Sequence, residues 1–192
     1  MKKKNVLMMA LSLCLVAVIA VGGTLAYLSD SDGDLVNTFK FANNIQVDVY
    51  EYTPGSESKN QSGYSYENLV VGDELEKDVD VDVTTTVETY LFINIKSVGD
   101  GTPVTLGTVD SAWTKVVDNG NGYGIYRLTN NVSKTTTDIN VFDTVTVPEV
   151  ESVVDGQYQS VTLNNVEIDV FAMQASGYDA EAALAEAQEA FA

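Results

Sequence analysis

From residue 45 onward, apolar and polar residues alternate with a period of two. In "IQVDVYEY", Ile45, Val47 and Val49 alternate with Gln46, Asp48 and Tyr50; in "DVDVDVTTTV", Val79, Val81 and Val83 alternate with Asp78, Asp80 and Asp82. Leu91, Ile93 and Ile95 repeat the pattern in "YLFINIKS", as do Val166, Ile168 and Val170 against Glu167 and Asp169. With "GYGIYRL" and "INVFDTVTVP", these runs predict about seven to nine strands, each burying one face. Turn-forming clusters separate them, and Asn119-Gly120 and Asp155-Gly156 are the dipeptides that favour tight hairpins. Many short strands with no helix between them predict an all-β fold, an antiparallel two-sheet sandwich of jelly-roll or related Greek-key type.

The pattern breaks at both ends. At the C-terminus, "DAEAALAEAQEAFA" has helical spacing, with Asp179 as the N-cap and Ala180, Leu184, Ala187 and Phe191 on one face. So short a helix needs the sandwich to dock on, and Glu186 and Glu189 near its end oppose the helix dipole. At the N-terminus, Lys2, Lys3 and Lys4 precede an apolar run over residues 6–21, closed by Gly22, Gly23 and Thr24-Leu25-Ala26. That order of charge, apolar stretch and small residues is a secretory signal peptide, a helix with scission after Ala26 and a new end at Tyr27. A retained membrane anchor would need roughly 20 apolar residues. A lipoprotein reading of Cys14 fails because Leu13 is too large for the position before a lipidated cysteine. The expected organisation is therefore a cleaved signal at 1–26, an arm at 27–44, a sandwich at 45–178 and a helix at 179–192. Once cleaved, the chain retains no membrane contact.

Charge narrows the function. The chain carries 10 basic and 28 acidic residues and no histidine, for a formal charge of −18. Removing the three leader lysines makes this about −21. Such a surface repels phosphate backbones, which excludes nucleic acid as a partner. Cys14, the one cysteine, leaves with the leader, so neither a disulfide framework nor a thiol nucleophile remains. Without histidine there is no Ser-His-Asp arrangement and no HExxH zinc site. An enzyme built on carboxylates alone is the remaining catalytic option, and the acidic residues here alternate along strand faces as a solvated surface would. We expect no enzymatic activity.

Calcium is a better use of those residues. "DSDGD" sets Asp30, Asp32 and Asp34 at alternate positions beside a glycine, like the start of a calcium loop. The match is partial, since Leu35 and Phe41 stand where glycine and glutamate are needed, and a polar spacer is the competing reading. Asp78, Asp80 and Asp82 would sit about 7 Å apart along one face, too far for one ion without a neighbouring strand. Trp113 is expected in the core.

The junction "GGTLAYLSD", followed by "NTFKFANNIQVDVYE", resembles the N-terminal signature of the TasA/camelysin family of Gram-positive bacteria. "SAWTKVVDNGNGYGIYRL" and "IDVFAMQASGYDAEAALAEA" are looser likenesses. The resemblance implies a jelly-roll sandwich, processing by a SipW-type signal peptidase, and, for TasA-like members, a secreted subunit that polymerises with itself into biofilm-matrix fibres; an accessory matrix protein is a further candidate partner. Camelysin-type relatives are catalogued as metalloproteases, but this chain has no zinc-binding histidine onto which that role could be carried. In the arm, Leu35, Phe39 and Phe41 share one face of an extended segment that could add to a neighbour's sheet edge. Pairing within the same sandwich is the alternative for residues 35–49. An extracellular adhesin is the competing function. Repulsion at −21 per subunit makes assembly responsive to salt, calcium or low pH.

Overall fold

Alternating valines need a second sheet to close over them, and the chain supplies one by switching sheets at most connections. The computed structural model describes residues 29–32, 45–149, 153–154, 157–158 and 162–192. The strands are β1 (Ser29–Asp32), β2 (Ile45–Tyr52), β3 (Lys59–Asn60), β4 (Glu74–Thr85), β5 (Thr89–Val98) and β6 (Thr105–Leu106). They continue as β7 (Trp113–Gly120), β8 (Tyr123–Leu128), β9 (Thr136–Thr146), β10 (Val153–Val154), β11 (Gln157–Tyr158) and β12 (Asn165–Gln174), followed by helix α1 (Ala180–Ala190). One five-stranded sheet, sheet I, has the order β1-β12-β5-β8-β7; the other, sheet II, has the order β3-β2-β4-β9-β6; β10 and β11 pair separately. The named strands all pair antiparallel. The expected two-sheet sandwich with a short C-terminal helix is present. The connections are less local than hairpins would give, because β12 lies between β1 and β5, and β9 beside β4.

Between the sheets, Val47, Val79, Val81 and Val83 meet Leu91, Ile93, Ile95 and Val170, with Phe142 and Trp113 in the same cluster. Each such side chain contributes roughly 1.5–3 kcal/mol on burial. Trp113 is in the core as expected, and its indole Nε1 donates to the Asn140 carbonyl at 2.8 Å. Buried amphipathic rings need such a partner.

Sheet I is apolar on part of its outer face too, while Asn94 and Asp169, on the same face, are buried polar residues. Phe92, Ile125, Phe171 and Met173 are buried there beneath Ala183 and Ala187 of α1. The two alanines let the helix approach closely. Asp179 caps it, accepting from the backbone N–H of Glu181 at 3.1 Å and of Ala182 at 2.8 Å. The helix therefore docks, but its contact stripe runs through Ala183 and Ala187, with Leu184 and Phe191 at the margin, and Ala180 is not at its centre.

The β7–β8 hairpin turns two residues later than Asn119-Gly120 suggests. Gly120 pairs with Tyr123, so Asn121 and Gly122 form the loop, with φ of 53° and 88°. Two consecutive positive φ values are what a two-residue hairpin with matching strand twist requires. Gly124 follows at φ 136°, where a Cβ would lie 2.1 Å from the Val117 carbonyl oxygen. No other residue type fits there without moving β7.

Candidate functional site

Two places carry the residues singled out from the sequence: the edge strand at the N-terminus and the outer face of sheet II. At the first, β1 pairs antiparallel with β12 in the register Ser29↔Met173 to Asp32↔Val170. The stretch read as a calcium loop or a polar spacer is, over Ser29–Asp32, a strand paired with β12. Asp30 and Asp32 lie on β1. Asp34, the processing residues Ala26 and Tyr27, the arm residues Leu35, Phe39 and Phe41, and the leader helix all lie outside the described residues. β1 covers part of β12 only. Residues 165–169 pair with β5 on one side and, among the described residues, have no strand on the other. Residues 45–49 pair within their own sandwich, against β4.

The second place corrects the expectation of a solvated acidic stripe. Asp80 is only 5 % exposed, although it alternates with core valines. Tyr50 lies opposite it in register and is itself 3 % exposed. Neighbouring strands provide the cover. The Tyr50 hydroxyl sits 2.7 Å from Asp138 Oδ1 and 3.1 Å from Asp82 Oδ1, and the Tyr52 hydroxyl donates to Asp138 at 3.1 Å. Lys59 of β3 reaches Asp82 at 2.9 Å and Asp138 at 3.2 Å. Its ammonium also lies 3.9 Å from the centre of the Tyr50 ring. Asp138 takes a φ of 56°, where the β4–β9 register shifts, and its N–H donates to Asp82 Oδ1 at 2.9 Å.

Alongside lies a group short of positive charge. Asn140 Nδ2 is within 3.2 Å of Asp78, 3.2 Å of Asp80 and 2.7 Å of Asp143. An amide has two hydrogens, so it cannot serve three carboxylates fully. Burial, and then the charge of Asp78, push Asp80 up to about 6. Asp78 is raised by burial and by Asp143. Asp138 goes the other way: hydrogen bonds, led by that from Tyr50 and aided by Thr137 and Lys59, hold it well below the usual carboxylate range. These environments separate acids that look equivalent in the sequence. Among the described residues, no three acidic side chains are grouped so as to hold a metal ion.

The chain matches no family model, no curated protein and no solved structure. Its likeness to the TasA/camelysin family therefore rests on the junction and strand residues quoted above.

Proposed function

We propose that this protein is a secreted structural subunit that assembles with itself into extracellular-matrix fibres once a SipW-type signal peptidase frees its N-terminal arm. The observation that carries this reading is the position of β1. Among the described residues it lies on the edge of sheet I, just beyond the expected scission after Ala26, and pairs with β12 over four residues. Such an edge pairing can be exchanged for the equivalent strand of a neighbour. The stretch of β12 that has no second neighbour among the described residues would let a donated arm pair over a greater length, with main-chain bonds supplying affinity and alternate side chains supplying register. Donation from one copy to the next is a head-to-tail contact, which propagates as an open filament. The TasA resemblance supports the same reading. We assign no hydrolytic role.

Electron microscopy of purified residues 27–192 and of residues 44–192 tests it. The longer form is expected to give filaments, more of them as salt screens the charge, and the shorter form dispersed monomers. Filaments from both, or from neither, would sink the proposal. A second reading, an adhesin, draws on the loop over residues 61–72, which exposes Tyr64, Val70 and Val71. Dispersed monomers from residues 27–192 would favour it.

A further inference from the structure

Glu51 and Lys77 meet on adjacent strands at the end of the core. Glu51 shares the inward parity of Val47 and Val49 on β2 and pairs in register with Val79. The β4–β9 register shifts between Glu76 and Val79, beside Lys77. Both side chains are sequestered, Glu51 at 4 % and Lys77 at 12 % exposure, and Lys77 Nζ contacts Glu51 Oε2. The other carboxylate oxygen, Oε1, is buried with no hydrogen-bond partner among the described residues. Tyr66 is close by, its phenol pushed up to about 12 by burial and by the charges of Glu51 and Glu76.

This is a poor resting place for an ion pair. Desolvating two charges is offset only when the geometry is good and the remaining lone pairs are satisfied, and Oε1 is not. It is a favourable place for condensation. The amine and carboxyl are held in contact by two strands of one sheet, and effective molarities for such fixed pairs reach about 10⁵–10⁸ M.

We propose that Lys77 and Glu51 condense into a side-chain amide that ties β2 to β4. The ammonium passes one proton to the contacting oxygen Oε2, leaving an amine and a carboxylic acid. The amine lone pair attacks Cδ and the C–N bond forms. The C–Oε2 bond then breaks, and the hydroxyl departs with a second proton from nitrogen as one water. Two opposite charges disappear, Oε1 becomes the amide carbonyl, and no other reactant is consumed. The product fixes the strand that follows the N-terminal arm to the middle of sheet II. This holds in a monomer and does not depend on fibre formation.

Mass spectrometry of the purified, denatured full chain decides the matter. Trypsin cutting at Lys40, Lys59 and Lys96, but blocked at Lys77, is expected to release one branched species. That species joins residues 41–59 to residues 60–96, at the summed mass less one water. In the Lys77→Arg variant, which keeps the cation and the pairing but lacks the reactive amine, residues 41–59, 60–77 and 78–96 should appear as separate linear peptides. Separate linear peptides from the wild type would overturn the proposal, as would a water loss that persists in Lys77→Arg.

Discussion

The two sheets share one core but bury parts of their outer faces by opposite means. Sheet I buries Phe92, Ile125, Phe171 and Met173 under an alanine-faced helix. Sheet II buries Tyr50 and Asp80 under a lattice of hydroxyls, carboxylates and one lysine. The buried side chains of the apolar cover, Phe92, Ile125, Phe171, Met173, Ala183 and Ala187, carry no titratable group, so their contribution does not change with pH. Polar cover of similar depth depends on which of its acids are ionised. Burial by itself therefore says little about robustness; what matters is the chemistry of the covering groups.

The largest expected effect belongs to the apolar side. Phe92→Ala removes a fully buried ring from beneath α1 and should lower unfolding stability by about 3–5 kcal/mol in denaturant melts. The loss should be the same at pH 5 and pH 8. A loss that varies with pH would break the comparison.

Asp80→Asn sharpens it from the polar side. Asp80 has a folded-state pKa of about 6, above its ordinary value of 3.8, so its ionised form weakens the fold. Wild-type stability should therefore rise as pH falls from 8 through 6 towards 4, because the folded state binds the proton first. The variant should be the more stable at pH 8, on the order of 2 kcal/mol, and the advantage should vanish by about pH 4. Asp138, whose pKa is depressed, contributes stability above its ordinary pKa that is lost as pH falls through the lower folded value. The stability optimum should therefore lie between these two acids. A wild-type profile that falls from pH 8 to pH 5 would contradict the Asp80 assignment.

The smallest effect tests how firmly the apolar cover is held. Asp179→Ala removes the oxygen that caps α1 and should cost about 1 kcal/mol, read as a small downward shift of the melting midpoint. If Phe92 and Met173 then exchange amide hydrogens no faster than in the wild type, the cap is not what holds the helix to the sheet.

Strand positions and the inward valines were legible because a period of two needs only local information. The polar cover was not. Asp80 has the parity of a solvated residue, and its burial is created by Tyr50, 30 positions away, and by Asn140, further still. Lys59 sits in a stretch that reads as a turn. The apolar cover did leave a signal: Phe92 within "YLFINI" and Phe171 and Met173 within "VFAM" put apolar residues on both parities, which a sheet with one solvated face would not do. The hairpin lies two residues beyond Asn119-Gly120 because two Asn-Gly pairs compete in "NGNG", and only cross-strand register decides between them. At the N-terminal edge, Ser29–Asp32 has no apolar alternation, so its pairing with β12 rests on main-chain bonds that side-chain patterns do not report.

The marriage of β1 to β12 has a kinetic consequence. These strands lie far apart in the chain, and among the described residues β12 alone joins β1 to the rest of its sheet. Any process that delivers the chain from its amino end must hold β1 in waiting until Val170–Met173 arrive. Closing so long a loop is slow, and throughout that interval the first strand is available to another molecule.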